Sequence, residues 1–364
     1  MTDTSFEYIF PAIRGVQAKR EYYVSMCPLK LIPKIFIFNE EELVPELRSQ
    51  RILNKVRVPE MSRYLVENKG SYVFSALTAS IDGDVRFIPV GGKIADSRIG
   101  SLHIDMQSQF IINDGQHRRA AIEQALKEEP NLGDEAISVV FFVDRGLERC
   151  QQMFADLNRY AIRPSKSLGL LYDHRDDRAR LAREVVSNTE TFHDLVEMEK
   201  SSLSIRSRKL FTLSAIYTGN TALLANSPET TYDDAITTCV NYWNEVGKHI
   251  AEWRLVRQSK ISAGDVRRDF IHSHAIVLQA LGHVGCDLYG TKGWRKIISN
   301  VSAIDWHRSN SSLWEGRAMI GGQVSKSRNN VILTTNAIKQ QIGVTLSVEQ
   351  QKVEDAFIRN DDVS

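Results

Sequence analysis

Six consecutive residues, Asp114-Gly115-Gln116-His117-Arg118-Arg119, bring a carboxylate, an amide, an imidazole and two guanidinium groups together. The apolar run Ile111-Ile112 precedes them and Ala120-Ala121-Ile122 follows, so the pattern reads as strand, turn and helix start. A helix N-terminus has free N–H groups and the positive end of the dipole, and so attracts anions. Arg118 and Arg119 add guanidinium forks that match phosphate in two-point contacts, and Gly115 lets backbone approach a ligand closely. Asp114 can accept from the helix N–H groups, or face outward to a divalent ion or a ribose hydroxyl. Gln116 and His117 can orient water or relay a proton. A phosphate site follows, with Asp114, Gln116 and His117 as catalytic candidates and Gly115, Arg118 and Arg119 as binding candidates. The same residues also fit an ordinary strand-to-helix turn, with Asp114 as N-cap and both arginines in solvent.

Three further stretches are cationic. Ser204-Ile205-Arg206-Ser207-Arg208-Lys209 leads into an apolar helix, Arg267-Arg268 precedes another, and Gly321 to Asn330 reads as a mobile polar loop carrying Lys326 and Arg328. Such groups contact DNA phosphates and position a protein without reading bases; a solvated surface accounts for them as well. The net charge of +1 hides a regional pattern: residues 1–175 balance, 176–200 carry −3, 201–345 carry +7 and 346–364 carry −3. A basic region between acidic ones points weakly to a polyanion. Asn158, Arg159 and Arg163 precede Ser165-Lys166-Ser167. Folded back on the 114–119 turn, Asn158, Arg163 and Ser165 would join its phosphate pocket; otherwise Ser165 caps the next helix.

Several chemistries are disfavoured. The 321–330 stretch lacks the Gly-Lys-Ser/Thr order of a P-loop, and no HExxH or CxxC supports a structural metal. No Gly-x-Ser-x-Gly elbow is present. Cys27, Cys150, Cys239 and Cys286 stand singly, which fits a reducing compartment and buried thiols. Apolar runs fall far short of the roughly 18 residues that span a bilayer, and the N-terminus lacks signal-peptide regions, so a cytoplasmic location is expected.

The elements that would position these groups suggest an α+β protein. Residues 22–26, 34–38, 102–106, 110–112 and 137–143 read as strands, and 72–90 as a hairpin turning at Asp82-Gly83. Helices are expected at 59–68, 120–127, 165–172, 178–186, 211–224, 232–253 and 270–288, and at 337–342 behind the capping residues Thr334-Thr335-Asn336, with Gly343 at its end. The division is 1–175, a mixed domain; 176–345, a mainly helical, basic, DNA-binding candidate; and 346–364, an acidic tail, loosely held.

Asp114-Gly115-Gln116-His117-Arg118 also spells the motif of the DGQHR-domain family, and the chain resembles its DndB-like, DNA-sulfur-modification members. Arg51–Arg57, Phe154–Asn158, Pro164–Leu168, His272–Ala275 and Ser325–Asn330 carry the resemblance further, over roughly residues 6–350. It implies a ParB/sulfiredoxin-like N-terminal domain that binds a nucleoside triphosphate with Mg2+ and could hydrolyse it, Asp114 holding the ion. It further implies a DNA-binding negative regulator of a phosphorothioation operon, with duplex operator DNA and proteins of that machinery as partners. In that picture Arg206, Arg208, Lys209, Arg267, Arg268, Lys326 and Arg328 touch DNA. An enzyme that nicks DNA or serves sulfur insertion, and a scaffold for the modification proteins, stay open beside it. So does a homo-oligomer, although no coiled-coil seam is visible.

Overall fold

The computed structural model describes residues 6–36, 57–91, 98–143, 152–153, 156–157, 164–227 and 231–361. The chain divides into two units, Met1–Ile162 and Arg163–Ser364. It is a mixed α/β protein, with fourteen helices among the described residues and a mostly antiparallel seven-stranded sheet.

The sheet belongs to the first unit. Its strands are β1 (Glu7–Gln17), β2 (Arg20–Pro28), β3 (Leu77–Asp82), β4 (Val85–Pro89), β5 (Ile99–Asp105), β6 (Gln109–Asp114) and β7 (Ala136–Val143). They lie in the order β4-β5-β1-β2-β7-β3-β6, and only β3 and β7 run parallel. The 72–90 segment turns at Asp82-Gly83 as expected but forms no hairpin ladder: β3 pairs with β6 and β7, and β4 with β5. In a flat sheet, strands five places apart are about 24 Å apart. Asp82 and Val85, on strands at the sixth and first places, are three Cα steps apart, about 11 Å at most. The sheet therefore curls towards a barrel. Aromatic rings meet across the curl, Tyr8 of β1 with Phe110 of β6 at 5.8 Å and Phe10 of β1 with Phe141 of β7 at 5.9 Å. The inward faces of the strands supply the core, including Ala79, Ile81, Leu102, Ile104, Val139 and Phe141.

Three helices serve this sheet: α1 (Ile32–Ile35), α2 (Arg57–Glu67) and α3 (Gln116–Glu128). The expected strand at 34–38 is corrected. Pro33 at the first turn of α1 suits a helix start. Leu29, Ile32, Ile35 and Phe36 are all buried at helical spacing. Residues 37 and 38 lie outside the described residues.

The second unit is helical: α4 (Lys166–Tyr172), α5 (Asp177–Asn188), α6 (Leu213–Leu223), α7 (Tyr232–His249), α8 (Ala251–Arg257), α9 (Ala263–Asp269), α10 (Ala275–Leu288), α11 (Trp294–Ser299), α12 (Ser311–Trp314), α13 (Arg328–Gln341) and α14 (Val348–Asp361). Two short ladders join them, β8 (Val196–Glu197) with β9 (Phe211–Thr212) and β10 (Met319–Ile320) with β11 (Gln323–Val324). Helix α10 is apolar nearly all round and buried, as a central helix must be. It lies so close to α6 that a Cβ on Gly282 would sit 2.3 Å from the Gly219 carbonyl oxygen.

Several expected boundaries shift here. The 232–253 helix breaks at Ile250, which is extended (φ −108, ψ 102). Thr334, Thr335 and Asn336 are buried inside α13 and cap nothing. Its cap is Ser327, which shares a reciprocal capping box with Asn330. Gly343 does end this helix, at φ 82. Gly321 and Gly322 are the tip of the β10–β11 hairpin, and their N–H groups donate to the Glu315 carboxylate. The C-terminal residues expected to be loosely held form α14, whose Glu354 is 1% exposed and ion-paired to Arg317.

Candidate phosphate and nucleic-acid interface

Strand β6 delivers Asp114 to the start of α3, and the turn between them is Gly115, at φ 106. That left-handed conformation suits glycine, and a Cβ there would lie 2.4 Å from Leu77 Cδ2. Gly115, rather than Asp114, is the N-cap, and it offers no side-chain cap bond. The Asp114 carboxylate instead accepts from Arg118 Nη2 at 2.6 Å, one helical turn on. Arg118 Nη2 also donates to the Ala76 carbonyl at 3.1 Å, while Arg118 Nε is buried with no partner among the described residues. Gln116 is buried and its amide donates to the Ile112 carbonyl at 3.2 Å, closing the strand-to-helix turn from inside.

Arg119 points elsewhere. Its Nε donates to Phe36 O at 2.9 Å, its Nη2 to Pro33 O at 3.3 Å, and its Nη1 to Glu123 at 2.6 Å. It ties the end of α1 to α3 and is 11% exposed. Burial first, then the charges of Arg57 and Arg118, hold His117 below the ordinary histidine pKa, against the pull of Asp114. A neutral imidazole thus stands beside the Asp114–Arg118 pair. Among the described residues no group of three or more His, Cys, Asp and Glu could hold a metal ion. Asn158 and Arg163 lie outside the described residues. Ser165 belongs to the second unit, where its hydroxyl caps α4 at Leu168 N–H and donates to the Glu199 carbonyl.

In the second unit the cations fall into two kinds. Arg267, on α9, donates to the backbone carbonyls of Ser204, Ile205, Ser207 and Lys209, so it laces together the loop at 201–210. Lys209 donates to the Asp194 carbonyl at 2.9 Å, and Arg268 is paired with Asp265 and Asp269 at 2.8 Å each. Arg206 and Arg208, by contrast, stand exposed on the laced loop with no acceptor among the described residues. Arg328, at the start of α13, is exposed in the same way, and Lys326, just before its cap, is exposed only in part. Desolvation and neighbouring Lys166 lower the Lys326 pKa. Arg308, which the sequence did not single out, donates to Arg268 O at 3.2 Å and Gly322 O at 2.7 Å, joining α9 to the β10–β11 turn. An isolated arginine in a loop carries no local signal of such a role.

The two histidines of His272-Ser273-His274 are buried connectors. Trp253 Nε1 donates to His272 Nδ1 at 3.0 Å, so His272 carries its proton on Nε2, which faces Glu252 at 3.3 Å. His274 Nε2 donates to the Arg267 carbonyl at 3.0 Å. Burial holds both below the ordinary histidine pKa; Glu252 opposes it at His272, and the Arg267 carbonyl at His274, where Arg308 adds to it. The unfolded chain takes up protons near pH 6.5 that the folded chain refuses. Stability is therefore full above that pH and falls as the pH drops below it, by about 1.4 kcal/mol per pH unit for each histidine kept neutral. Urea unfolding at pH 7.5, 6 and 5 checks this, and equal stability at pH 7.5 and 5 overturns it.

Burial also pushes the thiols of Cys27 and Cys239 up to about 12, which makes them poor nucleophiles. Cys150 lies outside the described residues. No helix among the described residues is long and apolar enough to cross a membrane. No curated protein and no solved structure matches the chain. Residues 10–345, however, match the family model DndB, described as DNA-sulfur modification-associated. The chain therefore belongs to the DndB family and, through it, to the DNA phosphorothioation system.

Proposed function

We propose that this protein is a DNA-binding negative regulator of a phosphorothioate-modification operon, with a nucleotide-responsive first unit of ParB/sulfiredoxin-like type. The observation that carries the DNA-binding half is the 201–210 loop: Arg267 holds its backbone, and Arg206 and Arg208 stand exposed on it with no acceptor among the described residues. Cations already held in place by a scaffold lose less freedom when they meet phosphates. Lys326 and Arg328 add two more contacts in this reading, and Arg268 and Lys209 stay with their protein partners.

In the first unit Arg118 is the phosphate ligand, held ready at the turn by Asp114. Arg118 would hold a nucleotide phosphate, and Asp114 is the carboxylate that would hold a Mg2+ ion beside it, since that ion usually binds through one or two carboxylates plus phosphate oxygens. That ion would neutralise phosphate charge. Neutral His117 is the proton acceptor, Gln116 fixes the turn, and Arg119 braces α3.

One titration tests both halves. Binding to an operator duplex, followed by fluorescence anisotropy over increasing salt, should weaken steeply, with a logarithmic slope of about −0.9 for each phosphate neutralised. The Arg206→Ala, Arg208→Ala double variant should lose about two units of that slope and bind about 10- to 100-fold more weakly. Repeating it with Mg2+ and each NTP tests the switch, since only a nucleotide that prefers one DNA-binding state can shift the affinity. Cleavage of the duplex would favour a DNA-processing enzyme, and salt-independent or absent binding would leave a scaffold.

A further inference from the structure

Helix α10 begins at the half-buried His274 and Ala275 without a side-chain cap. Its N-cap residue, His274, makes no side-chain cap bond, because that imidazole is turned to the Arg267 carbonyl. The Ala275 and Ile276 N–H groups have no acceptor among the described residues. Ser273, just before the cap, is 5% exposed and its hydroxyl is buried with no hydrogen-bond partner among the described residues. The first N–H groups of a helix have no partner within it and are left for solvent or a ligand to meet. A cavity of about 470 Å³ is lined by Ser273, His274 and Ala275 at this helix start and by Leu203, Ile205 and Phe211. Arg267 and Arg268 also line it. Arg268 is neutralised by its two aspartates, whereas the bonds from Arg267 go to neutral carbonyls, and it has no carboxylate partner among the described residues.

We propose that this cavity binds a nucleoside monophosphate, its phosphate on the N-terminus of α10 and its base against the apolar wall. The ligand class follows from the two halves of the cavity. Free N–H groups, an orphaned hydroxyl and an unneutralised guanidinium ask for a compact anion. Leu203, Ile205 and Phe211 ask for a flat, weakly polar body, and the volume lies within the roughly 300–1,000 Å³ usual for small-molecule sites. The phosphate could belong to a free mononucleotide or to the 5′ end of a DNA strand. The site shares the 201–210 loop and Arg267 with the operator reading of Arg206 and Arg208, and belongs to the second unit, whereas the Arg118 turn belongs to the first.

Ala275→Pro is the decisive variant. Proline is well tolerated at the first helical position, and His274 before it is already extended (φ −86, ψ 150), so the helix persists while one phosphate donor is lost. Ligand-dependent thermal shift and calorimetry on the full chain would use inorganic phosphate, AMP, and one oligonucleotide with and without a 5′-phosphate. Wild type should be stabilised by AMP or by the 5′-phosphorylated strand, and which of them acts identifies the source. Ala275→Pro should weaken that ligand at least tenfold and Ser273→Ala about threefold, whereas Arg118→Ala should leave it unchanged. Should Ala275→Pro fail to fold, Ser273→Asp places a carboxylate in the same spot and should abolish binding. No stabilisation of wild type by any phosphate-bearing probe at millimolar concentration overturns the proposal. So does binding that survives Ser273→Asp or disappears in Arg118→Ala.

Discussion

Arg267→Ala is expected to weaken operator binding about 10- to 100-fold while leaving the salt slope nearly intact. The side chain donates to carbonyls at Ser204, Ile205, Ser207 and Lys209, four points along one loop, and so fixes where Arg206 and Arg208 stand. Without it those two cations keep their charge and still release counterions on meeting phosphate, so the slope survives. What is lost is order, at about 1–2 kcal/mol for each backbone residue that must be fixed again on binding. Each factor of ten in affinity corresponds to about 1.4 kcal/mol. Arg267→Lys should resemble alanine, because a single ammonium cannot span carbonyls that a planar fork reaches together. The comparison with Arg206→Ala, Arg208→Ala is the check, since that variant lowers affinity and slope together. If Arg267→Ala also removes about one unit of slope, Arg267 itself touches phosphate. An unchanged affinity places the interface elsewhere.

Glu354→Ala should destabilise the second unit by about 3–5 kcal/mol, the usual cost of breaking one side of a buried ion pair. Glu354 is 1% exposed and receives both Nη groups of Arg317, with Nη1 at 3.0 Å from Oε2, and the Asn336 amide at 3.2 Å. Alanine leaves the guanidinium, itself 11% exposed, without its anion beneath the Phe357 ring. For a unit of this size the melting temperature should fall on the order of 10 °C. Glu349→Ala, at an exposed position in the first turn of the same helix, should change stability by no more than about 0.5 kcal/mol. Replacing both partners by Met and Leu should recover much of the loss, since a well-packed apolar pair avoids the desolvation cost. Equal melting temperatures for Glu354→Ala and Glu349→Ala would show that α14 contributes little.

Much of the local structure was legible in the residues. The apolar run 137–143 is a strand buried on one face, the Asp114-Gly115 turn joins a strand to a helix, and Gly343 ends a helix, because periodicity and positive-φ preference act over a few neighbours. The errors share a cause too. Residues 34–36 look like a strand until Pro33 and the burial of Ile32, Ile35 and Phe36 impose a helical turn. The segments on either side of Asp82-Gly83 form good strands, but the curl of the sheet hands them different partners. Thr334, Thr335 and Asn336 are excellent caps in isolation and lie mid-helix here, because Ser327 and Asn330 start α13 earlier.

The same division runs through the candidate sites. Residue types alone determined that the chain carries a DGQHR turn, a basic helical half and no thiol or metal motif of known spacing, and these sufficed to suggest its family. They could not tell which cations are available. Arg118 and Arg119 are adjacent, yet one faces Asp114 at the turn and the other braces α1. Arg206 and Arg267 are 61 positions apart; one is exposed with no acceptor among the described residues, and the other holds its loop. A guanidinium serves equally as a phosphate ligand or as a strut for carbonyls, and both roles favour the same residue. Only the tertiary structure decides between them, because it alone sets which carbonyls come within about 3 Å of each fork.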